Sequence, residues 1–209
     1  MPRAPGVDGR RLILDAAARL FYARGVDVVS VDEVAAAAGV TKRAVYYHFP
    51  SKDDLVRAWL LDVGPATFER LVAAAGSATS SDPHPVGRLI DTFGRWMADP
   101  RFHGCAYLNT ARDRPKDPAV MAIARDAKRH MLAWLAGIAT DEGAPDPDLR
   151  ARQYLMLVDV LLATHHLYPP ADLVRTTKAT LAAILAAAPP TPVSTDTAPT
   201  APARRGARR

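Results

Sequence analysis

Between Ser30 and Lys52 the chain has room for two short helices and almost nothing else. The stretch opens on SVDE, where Ser30 can cap the first backbone amides and Glu33, three residues on, can reach back, a capping box that starts a helix at about Val31. Gly39 interrupts the apolar run VAAAAG after only two turns, in the place where a helix wants a left-handed residue. Thr41 then caps a second short helix, Pro50 stops it because proline lacks the amide a helix needs, and Ser51 caps the next one. Two short helices joined by a tight turn containing Gly are what a helix-turn-helix requires, since the second must cross the first steeply enough to project from the surface.

The rest of the chain repeats the helical period rather than the alternation of strands, with VDVVSV at 26–31 as the one brief exception, and the predicted fold is all-α with about nine helices. The expected spans are 10–24, 31–38, 41–49, 52 into the 70s, 85–98, 106–113, 117–140, 147–167 and 171–187. A chain of 209 residues, 49% of them hydrophobic, can bury one or two cores. Residues 1–52 are expected to form a three-helix helix-turn-helix domain and 53–188 a helical domain. The segment 189–209, PPTPVSTDTAPTAPARRGARR, holds too few bulky apolar residues to offset the entropy of ordering and is expected to be disordered.

Charge is distributed unevenly. Residues 1–60 carry 9 cations against 7 anions, 61–188 carry 14 against 14, and 189–209 carry 4 against 1. A neutral middle with basic ends suits a polyanion touched by the ends. The single cysteine, Cys105, has no internal disulfide partner, nothing at the N-terminus resembles a signal peptide, and the apolar segments are too short or interrupted to span a bilayer. The expected setting is therefore cytoplasmic.

The second short helix reads TKRAVYYHF from Thr41 to Phe49. At about 100° per residue, Val45 and Phe49 share one stripe and anchor it, with Ala38 and Val40 as neighbours. Lys42, Arg43, Tyr46 and Tyr47 lie away from that stripe, with Ala44 and His48 at its edges. Cations neutralise phosphates, arginine can also pair with a guanine edge, and tyrosine hydroxyls donate to phosphate while the rings pack on sugar or a thymine methyl. Lys52, in the first turn of the next helix, offers a further phosphate contact beside amides that attract anions. The partner expected from these residues is double-stranded DNA.

GVTKRAVYYHFPSKDDL, preceded by SVDEVAAAA, resembles the signature of the TetR family of bacterial transcriptional regulators, over about residues 10–60. The resemblance implies a homodimer whose paired recognition helices enter successive major grooves of a palindromic operator, usually repressing, and which leaves when a small molecule binds the C-terminal domain. By position it places base-edge or groove contacts on Lys42, Arg43, Ala44 and Tyr47, and phosphate contacts on Thr41, Tyr46, His48 and Lys52, with Ser30 a further candidate. Ala44 departs from the polar residue often found there and offers at most a methyl contact with thymine. In the C-terminal domain, RFHGCAYLNTARD is similar to a segment between helices in one branch of the family.

The resemblance also implies that the last two helices pair with their mates in a four-helix bundle. Apolar stripes suited to this comprise Leu155, Val158 and Leu162 on the eighth helix and Val174, Thr177, Leu181, Ile184 and Leu185 on the ninth. An effector pocket is expected among Trp96, Met97, Phe102, Tyr107, Asn109, Met121, Met131, Trp134, Tyr154 and His165, whose aromatic and methionine character suits an apolar or aromatic effector. No cofactor, metal site or catalytic group is expected: Cys105 beside His103, and the pair His165 and His166, lack a third residue at a recognisable spacing. The alternatives are a constitutive DNA-binding protein without effector, and a helical enzyme using Cys105 or His165 and His166.

Overall fold

The computed structural model of the chain describes residues 8–76 and 81–187, and these form nine helices and no strand. They are α1 (Gly9–Arg24), α2 (Val31–Ala38), α3 (Lys42–His48), α4 (Lys52–Gly76), α5 (Pro85–Met97), α6 (Ala106–Asp113), α7 (Pro118–Asp141), α8 (Pro147–Thr164) and α9 (Pro170–Ala186). The segment 189–209, expected to be disordered, lies outside the described residues. Among the described residues no helix is long and apolar enough to cross a membrane.

Local chemistry fixes most helix starts. Asp8 accepts from the amide of Arg10, Asp117 from those of Ala119 and Val120, and Asp146 from that of Leu149. Proline stands in the first turn of α5, α7, α8 and α9, where its missing amide costs nothing. The expected capping box is present in full: Ser30 Oγ accepts from the Glu33 amide at 3.2 Å, and Glu33 Oε2 accepts from the Ser30 amide at 2.8 Å. Gly39 takes the left-handed conformation (φ 65°, ψ 34°), which lets its own amide reach Ala36 O and that of Val40 reach Ala35 O, closing α2 with two bonds. The segment 26–31 is a turn and cap whose Val26, Val29 and Val31 are buried while Val28 is exposed.

One boundary differs by more than a residue or two from the sequence reading. α8 ends at Thr164, three residues earlier than expected, and gives way to a turn in which the Leu167 amide donates to Thr164 O at 2.8 Å, ahead of Pro169 and Pro170. α4 runs from Lys52 to Gly76, as expected, and continues unbroken through Pro65.

Two hydrophobic cores result. The first gathers Ile13, Ala16, Ala17 and Phe21 of α1, Val34 of α2, Val45 and Phe49 at α3, and Leu55, Val56, Trp59 and Leu60 of α4. Burying each of these larger side chains contributes about 1.5–3 kcal/mol. The second gathers Leu71 of α4, Leu89, Ile90 and Phe93 of α5, Leu135 of α7, Tyr154, Val158 and Leu161 of α8, and Leu181 of α9. α4 belongs to both, with Gly64 and Pro65 lying between Leu60 and Leu71.

Candidate nucleic-acid interface

The two sides of α3 differ sharply. Val45 and Phe49 keep 1% and 3% of their surface exposed and fasten the helix to α1 and α2, while Ala38 and Val40 pack against the same core. On the outer side Tyr47 is 84% exposed and Tyr46 43% exposed. Leaving so much aromatic surface in water forgoes the stabilisation that burying it would bring, which makes this side of the helix a candidate contact surface. Lys42 and Arg43 are exposed beside them, and Ala44 and His48 are half-buried at the edges. The rings of Tyr47 and His48 meet edge to face, 5.1 Å apart, which limits how Tyr47 can point.

The polar groups around this face are in different states of readiness. Thr41 Oγ1 caps α3 by accepting from the Ala44 amide at 3.2 Å, so its own proton is available to an acceptor. Lys42 Nζ stands 2.9 Å from Asp32, which raises its pKa chiefly through that hydrogen bond; both groups are exposed, so water and salt screen the pair. Lys52 Nζ lies 3.4 Å from Asp27 O, and burial first, then the charge of Arg114, pushes its pKa down. Ser30 is the least ready of the expected contacts, because its one hydroxyl proton goes to Glu33 Oε2 at 2.9 Å. That carboxylate is held down to about 2, first by the Ser30 amide and then by Arg24.

Several contacts that the sequence reading did not anticipate join this unit to the helices behind it. Arg114, on the loop between α6 and α7, pairs with Asp27 at 2.8 Å and also with Asp53. Arg57 pairs with Asp54 at 2.7 Å and lies 3.8 Å from Asp117. Tyr22 of α1 donates to Gly104 O at 2.9 Å and accepts from the His103 amide at 3.1 Å. Tyr107 of α6 donates to Leu60 O of α4 at 3.0 Å. An open cleft of about 460 Å³ lies at this junction, lined by Asp27, Asp53, Asp113, Arg114, Pro115, Lys116 and Asp117.

The ten residues expected to line an effector pocket do not gather in one place. Trp96, Met97, Phe102, Met131 and Trp134 are partly buried against the second core and Tyr154 is fully buried in it, but Tyr107 packs on the first core. Asn109 Nδ2 donates to His103 O at 2.6 Å, and His165 Nδ1 bonds Leu162 O at 2.8 Å, so both have structural partners. Met121 is half-buried on α7. The Tyr154 hydroxyl donates to Glu142, which also meets His84 Nε2 at 2.7 Å, and burial, reinforced by that carboxylate, raises the phenol's pKa. Cys105 is half-buried at the start of α6, and His166 is exposed beside His165.

The stripes expected to face a second copy turn inward for the most part. Val158, Leu162, Thr177 and Leu181 are buried within their own chain, and Leu155, Val174 and Ile184 are half-buried against the same core. Of the eight residues in those stripes Leu185 alone is exposed, at 39%. The opposite side of α8 carries Met156 at 67% and Val160 at 60% exposure, with Ala163 following one turn on.

Known proteins share these features. Residues 13–59, the span from the first buried residue of α1 to Trp59 of α4, match the family described as bacterial regulatory proteins, tetR family. The chain is 39% identical over 94 residues to the HTH-type transcriptional regulator TtgR of Pseudomonas putida, a match covering 44% of each chain. It is 32% identical over 123 residues to the HTH-type transcriptional repressor KstR2 of Rhodococcus jostii, covering 50% of this chain and 60% of that one. The matches thus span about half the length of these relatives. A crystal structure of a TetR-family transcriptional regulator from Streptomyces coelicolor superposes with a TM-score of 0.75 at 28% identity, over 85% of this chain and 94% of that one. Residues 13–59, which hold the helix-turn-helix, thus match the tetR family of bacterial regulatory proteins, and the fold of the chain is similar to that of a TetR-family regulator over 85% of its length.

Proposed function

We propose that the protein is a DNA-binding transcriptional repressor that works as a homodimer in the cytoplasm and leaves its operator when a small apolar or aromatic molecule binds among the C-terminal helices. The observation that carries this reading is the two-sidedness of α3: a short helix fixed by Val45 and Phe49 that holds Tyr47, 84% exposed, with Tyr46, Lys42 and Arg43 toward solvent. α3 is about 10 Å long, a size that a major groove about 12 Å wide accepts. Lys42, Arg43, Ala44 and Tyr47 are the groove contacts in this reading, and Thr41, Tyr46, His48 and Lys52 the phosphate contacts. Ser30 joins them only by giving up its bond to Glu33.

One such helix binds weakly, and a second copy supplies a second half-site about one helical turn away. The surface we assign to that pairing is the exposed side of α8, Met156, Val160 and Ala163, with Leu185 and the exposed alanines Ala182, Ala183 and Ala186 of α9. The effector reading rests on the partly buried Trp96, Met97, Phe102, Met131 and Trp134. Linkage then requires operator DNA to weaken effector binding by the same factor by which effector weakens operator binding. Selecting duplexes from a random pool tests the whole: enrichment of an inverted repeat supports a dimeric reader, a single unrepeated site removes the dimer, and no enrichment removes sequence-specific binding.

A further inference from the structure

Among the cations around α3, Arg10 is set apart by what holds it. It sits in the first turn of α1, and its guanidinium carbon lies 5.1 Å from the centroid of the Phe49 ring, the residue that closes α3. Among the described residues it meets no carboxylate. The nearby Asp8 spends its side chain on the backbone amide of Arg10. Arg11, one residue on, is by contrast committed to Asp15 at 2.6 Å and Asp62 at 2.9 Å.

From this geometry we infer that Arg10 is a further phosphate-binding residue of the interface, held over Phe49 so that it meets the DNA backbone at the end of α3 opposite Thr41 and Lys42. This rests on the DNA-binding function proposed above. A guanidinium stacked on a ring keeps its charge and its five N–H donors, directed outward in the plane of the group. The stack also restricts the side chain before DNA arrives, so less rotamer freedom is lost on binding. Because α3 is about 10 Å long and phosphates border a groove about 12 Å wide, a cation fixed at the helix's last residue lies within a side-chain length of the backbone. Simple cover for Phe49 needs no charge: a methionine at position 10 would shield the ring equally well and offer nothing to a phosphate.

The test is the salt dependence of binding to a labelled mixed-sequence duplex, measured for the full chain and for Arg10→Met and Arg10→Lys, with thermal midpoints confirming that each folds. Arg10→Met is expected to lower the slope of log K against log[salt] by about 1 per protomer bound, so that affinity falls about 3.5-fold less per protomer between 50 and 200 mM salt. Arg10→Lys restores the slope. Should Arg10→Met fail to fold, Arg10→Gln gives the same reading. A slope unchanged in the uncharged variant, with the wild type binding in a salt-dependent way, overturns this inference and leaves the DNA-binding function standing. A wild type that binds no duplex overturns both.

Discussion

Gly64 lies inside α4 between the two cores, and a Cβ placed there would stand 2.3 Å from the hydroxyl oxygen of Tyr107 and 3.5 Å from its Cζ. Alanine in a helix interior is otherwise favoured over glycine by about 0.5–1 kcal/mol, so the substitution pits a local gain against a tertiary contact. To admit the methyl group the hydroxyl must give up its 3.0 Å bond to Leu60 O, and a half-buried hydroxyl left without a partner costs about 1–3 kcal/mol. Gly64→Ala is therefore expected to destabilise by about 1 kcal/mol or more in spite of propensity. Tyr107→Phe alone is expected to cost about 0.5–1.5 kcal/mol, the net value of one such bond. In the double variant the phenyl ring clears the methyl group, the propensity gain returns, and the two changes nearly cancel. The double variant should thus be about 1–2 kcal/mol more stable than the sum of the singles allows, a coupling of the size found for residues in contact. Urea unfolding midpoints at constant slope provide the measurement. A Gly64→Ala variant that is stabilised on its own, with additive effects in the pair, would refute the claim that Tyr107 of α6 is seated against α4 at the step between the cores.

The remaining expectations concern other contacts. Arg114→Met leaves Asp27 and Asp53 without their shared cation; discounted for the exposure of both carboxylates, the loss should be about 1–2 kcal/mol, read from the same unfolding midpoints. Met156→Glu combined with Val160→Glu should turn the proposed dimer into a monomer by sedimentation without lowering the protomer's helicity, since both side chains are exposed. Glu33 titrates at about 2 in the folded chain against an ordinary 4.5, so its contribution is fully present above pH 4.5 and is lost as pH falls toward 2. Glu33→Gln keeps the cap and should flatten that part of the thermal midpoint against pH.

The helices were legible because their ends are written in short-range chemistry. Ser30 with Glu33, Gly39, Thr41, Pro50 and the four prolines in first turns act on neighbours three or four residues away, and a single sequence displays them all. The outer face of α3 was legible for the same reason: with Val45 and Phe49 as anchors, helical geometry alone turns Tyr46 and Tyr47 outward. Long-range pairings left no such trace. α8 is apolar on both sides, so nothing local distinguished Leu155, Val158 and Leu162, which pack inward, from Met156 and Val160, which do not. Arg114 stands among charged residues in a loop, where solvation is the ordinary fate, and its role comes from Asp27 and Asp53, which are 87 and 61 residues away. Tyr107 looked like pocket lining because its aromatic character was visible while its seat against Gly64 depends on how α6 crosses α4. The helix expected from Lys52 into the 70s is present, and it continues through Pro65 between two cores that hold it on either side.

The central claim is that the outer face of α3 and the start of α4 hold and read DNA, and it is tested most directly by comparing binding to a selected duplex and to its scrambled counterpart. Lys52→Ala should weaken binding to both alike and lower the salt slope by about 1 per protomer, whereas Tyr47→Ala should narrow the ratio between them. Folded variants that both bind the two duplexes as the wild type does would contradict the account.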